Sequence, residues 1–595
     1  MLDGTLLACA VVGVALYGMY RMARASRRTR DDAYEGAEAR ALVSDYVLGP
    51  ETVNPGVWAR AAQRGWQPPR PPPRSTSHGD ARFADMLTDG AAMAPALGGA
   101  KGIWFGFGIN LSGAHGGTDG RDISYGGDRH LLTVAPTGSG KGSCAIIPNL
   151  LMLHHLSVIC IDPKGQNAAV TGAARAMGGK NVYFLNPFGM HAEAPWYLPR
   201  HRFNPLAHLR IDDPHVVAEV ASLAQALIVT ESKTQPYFDN SARDLVKALI
   251  LHAVALKGGN ATLLDMRAWL GQPMTAAAGR PSLTAILRDM ARSPYRFISE
   301  PASRFLSDAR SVEEVVQSAS TQTEFLSDPC IAEALSASDF TIAEFKEQPT
   351  TLYIMLPDMY LDSYARFMRV VTIAALDGLR ANPGGTRTLV ILDEFPRLGH
   401  MAAVENAFAL ARGYNVQLWP FVQDLNQLKE TYGERWGSFI ANAGIVQWFT
   451  PNDPFTAEYL SRRIGKTTIE TSSRNTSTTE NTGNSDGATL PTGPNSHNSR
   501  NFGRSYSSSE TSSETFNQAA ADFLSPQDLY DFPDYFQLLT LAGLKYPILA
   551  TRENYYEWAG VMADIRAMGM PDPFHVEHDV SVRGGEEQEE RRDAA

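Results

Sequence analysis

Three observations predict an α/β fold built on a mostly parallel sheet. The apolar run Leu131-Leu132-Thr133-Val134 leads directly into the glycine-rich segment Ala135-Pro136-Thr137-Gly138-Ser139-Gly140-Lys141-Gly142. Far downstream, Thr388-Leu389-Val390-Ile391-Leu392 ends in the carboxylates Asp393 and Glu394. A third run, from Asn415 to Val422, carries Gln423 at its tip. Unbroken apolar runs of this length read as strands buried on both faces, the pattern of parallel sheets. Ligands collect at the carboxyl ends of such strands.

Strand, glycine-rich turn and helix together make the setting of a phosphate-binding loop. The glycines let successive backbone N–H groups turn toward a polyphosphate, and the following helix adds its positive end. Lys141 would reach the β- and γ-phosphates of ATP as a point charge. Two positions depart from the usual pattern. Ala135 stands where the first glycine is commonest, and Gly142 where Ser or Thr normally offers a hydroxyl to Mg²⁺. Ser143 is the nearest substitute. Residues Ala135, Pro136, Thr137, Gly138, Ser139, Gly140, Lys141, Gly142 and Ser143 are therefore the candidate nucleotide-binding set, with an ordinary strand-to-helix turn as the competing reading. Asp393 would hold Mg²⁺, directly or through water, and Glu394 would orient or deprotonate the attacking water. Taken alone, that pair fits an acidic helix N-terminus equally well. An amide at Gln423 can bond both the attacking water and the γ-phosphate. By spacing alone it is as readily a polar residue leaving a strand, and Pro420 argues against a central strand there. The three segments together predict an ATPase with Lys141, Asp393, Glu394 and Gln423 as its catalytic groups.

At 595 residues the chain is long enough for several domains. Its four cysteines, Cys9, Cys144, Cys160 and Cys330, have no short paired spacing. This indicates neither a disulfide framework nor a zinc site and fits a reducing cytoplasm. A net charge of −11 excludes a basic nucleic-acid coat. It leaves room for nucleic acid in a narrow pore, where only the lining must be basic.

Thr5 to Tyr20 is uncharged and mostly apolar, and five arginines follow it between Arg21 and Arg30. Residues 1–24 are read as a single membrane anchor with the remainder in the cytoplasm, by the positive-inside rule. A cleaved signal peptide would carry its charge before the apolar run. Residues 25–97 are a linker that includes the proline-rich Gln67-Pro68-Pro69-Arg70-Pro71-Pro72-Pro73. The nucleotide-binding domain starts over 98–212. Apolar residues then recur at helical spacing, as in Val216-Val220-Leu223-Leu227, so 213–345 is an inserted all-α domain. The nucleotide-binding domain resumes over 346–466. Ser, Thr, Asn and Gly dominate 467–515, which is expected to lack order because it buries too little apolar surface. The sheet returns over 516–565, and 566–595 is a charged tail.

These motifs carry a family resemblance. The sequence resembles the type IV coupling proteins of conjugation and type IV secretion, the TraG class. The version of the phosphate loop with Gly142 is that family's own. Asp162-Pro163-Lys164-Gly165 is similar to its second-strand signature, with Gln166 replacing the usual acid. His78-Gly79-Asp80-Ala81-Arg82-Phe83-Ala84, Phe203-Asn204-Pro205-Leu206, Tyr237-Phe238-Asp239, Asp393-Glu394-Phe395, Gln423-Asp424-Leu425 and Leu524-Ser525-Pro526 follow the family's order. The resemblance implies a RecA-like domain with an inserted helical domain. It also implies a homohexameric ATPase using ATP and Mg²⁺, anchored in the inner membrane around a central channel. Its implied partners are secretion-channel components and a relaxase–DNA complex or effector proteins, with single-stranded DNA as one cargo. Members usually carry two membrane helices, and this chain shows one apolar segment. An arginine acting in trans is also implied; Arg366 and Arg369 are candidates, with a surface or DNA-facing role as the alternative. Lys164 reads equally as a turn lysine or a phosphate ligand. Two rival functions remain open: an FtsK/HerA-like duplex DNA pump, and a nucleotide-stabilised docking platform with little turnover.

Overall fold

The computed structural model describes residues 80–84, 89–93, 102–110, 117–229, 236–275, 282–307, 309–489, 499–557, 565, 568 and 572. The expected membrane anchor, nearly all of the linker before residue 80 and most of the charged tail lie outside the described residues. Among the described residues no helix is long and apolar enough to cross a membrane. They form two compact units, 83–457 with 529–572 and 80–82 with 458–528.

The strands are β1 (Ile103–Asn110), β2 (Gly117–Tyr125), β3 (His130–Val134), β4 (Ser157–Asp162), β5 (Asn181–Leu185), β6 (Thr350–Met355), β7 (Thr388–Leu392), β8 (Val416–Val422), β9 (Ala443–Trp448), β10 (Lys466–Thr489), β11 (Ser499–Asp522), β12 (Phe536–Leu541) and β13 (Ile548–Thr551). In the first unit, eleven of them make one sheet in the order β2-β1-β13-β12-β9-β3-β8-β7-β4-β6-β5. From β9 to β5 every pairing is parallel. Strands β12, β13, β1 and β2 extend the β9 edge in antiparallel pairs. The α/β fold with a large, mostly parallel sheet is thus the one the apolar runs predict.

Parallel neighbours need crossovers, and helices supply them. A π-helical turn, Gly142–Ile146, runs into α1 (Ile147–Met152), and α2 (Gln166–Ala176) follows β4. Between β5 and β6 the described residues form helices and no strand: α3 (Val216–Leu227), α4 (Pro236–Lys257), α5 (Leu263–Leu270), α6 (Leu283–Ala291), α7 (Arg296–Ser307), α8 (Ala309–Gln322) and α9 (Pro329–Leu335), with shorter turns. Helix α4 is the spine of this region, with Leu245, Val246, Leu249 and Ile250 fully buried. The motif residue Asp239 ties its start to α8 by accepting from Ser318 Oγ (3.0 Å) and Gln322 Nε2 (3.1 Å). Next come α10 (Ala365–Ala381), α11 (Ala402–Leu410), α12 (Leu425–Tyr432) and α13 (Trp436–Asn442).

The core includes Val158, Tyr353, Ile391, Trp419, Phe421 and Ile445 from the parallel strands. A buried polar chain crosses the same sheet. Trp419 Nε1 donates to Thr133 Oγ1 (2.8 Å), which donates to Gln447 Oε1 (2.7 Å), and Gln447 Nε2 donates to Gln537 Oε1 (2.5 Å). One satisfied network thereby pins the register of β8, β3, β9 and β12. Arg175 of α2, 1% exposed, donates to Leu153 O, Leu156 O and Thr351 Oγ1, stapling the end of α1 to the sheet.

Two expectations change. Pro420 sits inside β8, which is nonetheless central, between β3 and β7. Burial of Trp419 and Phe421 on either side of it outweighs one missing ladder donor. Within the segment 467–515, expected to lack order, the described residues 467–489 and 499–515 form most of the second unit's antiparallel ribbon. Strands β10 and β11 pair in unbroken register from Lys466↔Asp522 to Thr489↔Ser499. Composition counts apolar burial only, whereas a ladder satisfies backbone N–H and C=O groups with each other. The recurrent threonines favour extended backbone.

Candidate functional site

Strand β3 delivers the glycine-rich loop at its carboxyl end. Gly138 (φ +76°) and Gly140 (φ +82°) take left-handed conformations that L side chains avoid. A Cβ on Gly138 would meet nothing within 4 Å, so the loop's face there is open. Ser139 folds back, its Oγ donating to Pro136 O at 2.6 Å. Cys144 N donates to Gly140 O (2.8 Å), starting the helical run.

Strand β8, next to β3 in the sheet, and β7 beyond it bring in the other groups. Lys141 Nζ lies 3.0 Å from Asp393 Oδ1 and also donates to Glu394 Oε1. Gln423 Nε2 donates to Glu394 Oε2 at 3.1 Å. Glu394 N donates to Asp393 Oδ1 at 3.0 Å. Glu394 holds φ +53°, an uncommon conformation for a residue with a Cβ and one that clusters at functional sites. The Lys141, Asp393 and Glu394 side chains are only 14–17% exposed.

Burial alone would lower the Lys141 pKa, but the charges of Asp393 and Glu394 overcome it and raise it. Burial, with Glu394's charge added, pushes Asp393 up against the pull of Lys141. For Glu394 burial acts upward, but Lys141 and the Gln423 amide win, and its pKa falls. Adjacent carboxylates in different environments are thus driven apart. At the tip of β4, Asp162 is pushed up to about 7, chiefly by burial. It accepts from Ala168 N (2.8 Å) and Asn167 Nδ2 (3.3 Å), tying the turn to α2.

Lys141, Asp393, Glu394 and Gln423, up to 282 positions apart in sequence, thus form one connected cluster beside the loop. Two carboxylates with one ammonium leave net negative charge and hard oxygen donors, which fits Mg²⁺ at Asp393. Ser143 is not part of this cluster. Its Oγ faces Asn554 Oδ1 (2.8 Å) and Gly140 O (3.1 Å).

Residues 79–490 match the model of the family "Type IV secretory system Conjugative DNA transfer", more than half of the chain. The chain belongs to this family. It is 31% identical over 370 residues to the conjugal transfer protein TraG of Escherichia coli, covering 58% of this chain and 56% of TraG. It is 28% identical over 363 residues to protein VirD4 of Rhizobium rhizogenes, covering 59% of this chain and 51% of VirD4. The chain therefore spans little more than half the length of these relatives. The bacterial conjugative coupling protein TrwBΔN70, in its trigonal form in complex with sulphate, superposes with a TM-score of 0.54. At 15% identity over 82% of this chain and 96% of that one, this shows a shared fold.

In this family member Arg369 is neither surface nor poised for a neighbour. It is 5% exposed and donates to Ala226 O (3.2 Å), Leu398 O (2.7 Å) and His400 O (2.9 Å). Helical spacing placed it correctly on α10 but could not show which face the segments after α3 and β7 would cover. Arg366 lies 3.5 Å from Gln322 Oε1, facing the helical region. The Lys164 side chain is exposed on its turn. Gln166, in place of the family's usual acid, donates to Asp572 Oδ1 at 3.1 Å. An acid at 166 would set two carboxylates together, so the departure has a local reason. Neither Asp572 nor Asn554 was signalled by the sequence, because each lies outside the motifs and meets its partner, Gln166 or Ser143, from more than 400 positions away.

Proposed function

We propose that this chain is a membrane-anchored, ATP-hydrolysing coupling protein. It passes a relaxase–DNA complex or effector proteins, with single-stranded DNA as one cargo, to a type IV secretion channel at the inner membrane. The carrying observation is the Lys141–Asp393–Glu394–Gln423 cluster at the carboxyl ends of three adjacent parallel strands, beside an open glycine-rich loop. Family membership and the coupling-protein names of the relatives supply the biological setting. The loop from Ala135 to Ser143 would receive the polyphosphate. Lys141, shared between two carboxylates in the structure, would turn its charge to the β- and γ-phosphates. Asp393, with Ser143 as a second candidate, would hold Mg²⁺, which supplies charge neutralisation on the phosphates. Glu394, held by Gln423, would orient water and accept its proton once Lys141 has turned to the phosphates. Gln423 links that carboxylate to the phosphate side, so ATP and ADP would leave it with different partners. A homohexamer anchored by residues 1–24 completes the reading.

The test is Lys141→Ala in the full chain. ATP turnover and substrate transfer are expected to fall to background while membrane insertion persists. Full transfer by this variant would overturn the motor reading. Nucleotide binding with no measurable turnover in the wild type would leave a docking platform instead.

A further inference from the structure

The loop after β13 reaches the phosphate loop from the far end of the chain. Tyr555, fully buried among Trp104, Phe107, Ile147 and Met152, anchors it. The preceding residue, Asn554, points its Oδ1 at Ser143 Oγ (2.8 Å) and Cys144 Sγ (2.9 Å). Its Nδ2 donates to Glu557 Oε1 at 3.1 Å. This orientation is the one the chemistry requires. The Glu557 carboxylate only accepts and so takes the amide nitrogen, which leaves the amide oxygen to accept from Ser143 Oγ and Cys144 Sγ. The contacts close around Gly140. A Cβ there would lie 3.1 Å from Ser143 Oγ, 3.2 Å from Cys144 Sγ and 3.6 Å from Asn554 Oδ1.

We propose that Asn554 is a positioning residue of the phosphate loop. Acting through Ser143 and Cys144, it fixes the first helical turn after Lys141, so that a nucleotide's polyphosphate meets backbone donors already in place. Pre-set donors cost no ordering when the ligand arrives. The inference rests on the nucleotide-site reading above and adds a residue from the far end of the chain.

The experiment is calorimetric titration of ADP into the detergent-solubilised full chain, with Mg²⁺ and again with EDTA. Asn554→Ala is expected to weaken ADP about tenfold in both conditions, because Asn554 acts on the loop and not on the metal; this is the loss of one ordinary hydrogen bond, ~1.4 kcal/mol. Ser143→Ala should cost a similar factor. The double variant should also lose about tenfold, not a hundredfold, since the two residues act as one unit. A purely structural role would lower the unfolding temperature and leave the losses additive or absent, and either result overturns the proposal. If the alanine variant does not fold, Asn554→Asp keeps an oxygen on Ser143 and Cys144. Its added charge should weaken ATP more than ADP, and wild-type affinity for both would overturn the proposal. Absence of ADP binding by the wild type would instead sink the nucleotide-site reading itself.

Discussion

Replacing Arg369 with methionine separates a structural arginine from a catalytic one. The substitution keeps most of the aliphatic stem and removes the guanidinium. Three carbonyls, at Ala226, Leu398 and His400, then lose their donor in a site where the residue is 5% exposed. A hydrogen bond to a charged group is worth about 1.5–3 kcal/mol net, but the charge is itself costly to bury, so the sum is discounted. The expected loss is about 3–5 kcal/mol, concentrated where α3 ends and where the chain leaves β7. Denaturant unfolding should show a lower midpoint, and amide exchange should speed up around residues 226 and 398–400. Arg369→Lys should recover part of the loss by reaching one or two of the carbonyls. An arginine acting across a subunit boundary predicts the reverse: unchanged stability and a fall of about 10³-fold or more in ATP turnover. That second pattern in Arg369→Met would refute the structural assignment.

Two more outcomes follow from the packing. Thr133→Val keeps the shape of the side chain but strands the Trp419 N–H and the Gln447 carbonyl oxygen in the sheet, and should cost about 2–5 kcal/mol in denaturant unfolding. Asp328 caps α9 by accepting from Cys330 N (2.7 Å) and Ile331 N (3.3 Å), and also accepts from Tyr364 Oη (2.7 Å). Its partial burial acts to raise the pKa, but these three donors outweigh it and hold it below the ordinary carboxylate range. Its folded pKa being the lower one, its stabilisation is full above the unfolded pKa of about 4 and disappears as pH falls through the folded value. Asp328→Ala should therefore cost about 1–2 kcal/mol at neutral pH, with the gap to wild type closing in acid.

The cluster of Lys141, Asp393, Glu394 and Gln423 was legible because its members follow strand-like runs, Lys141 through the glycine-rich turn after β3. Such a run leaves few ways to place its last polar residue except at the carboxyl end of a buried strand. The family resemblance singled out Asp162, Asn204 and Asp239, whose work in the structure is to tie turns and helices together. Arg369 and the β10–β11 ribbon were not legible. Helical periodicity assigns a residue to a stripe, and only the packed neighbour decides whether that stripe meets solvent or three carbonyls. Ser- and Thr-rich composition measures how little a segment can bury and says nothing of a partner strand in perfect register.

The sequence by itself determined β3, β7 and β8, the turn chemistry of the glycine-rich loop and the identity of the four clustered side chains. These depend on local patterns: burial on both faces of a strand, left-handed backbone at Gly138 and Gly140, charge at a strand end. Tertiary structure decided which strands are neighbours, and hence that Lys141 meets Asp393 and Glu394. It also decided that Asn554 closes on Ser143 from 411 positions away. No local pattern encodes such a contact, because its free energy arises only when two distant segments are packed against the same sheet.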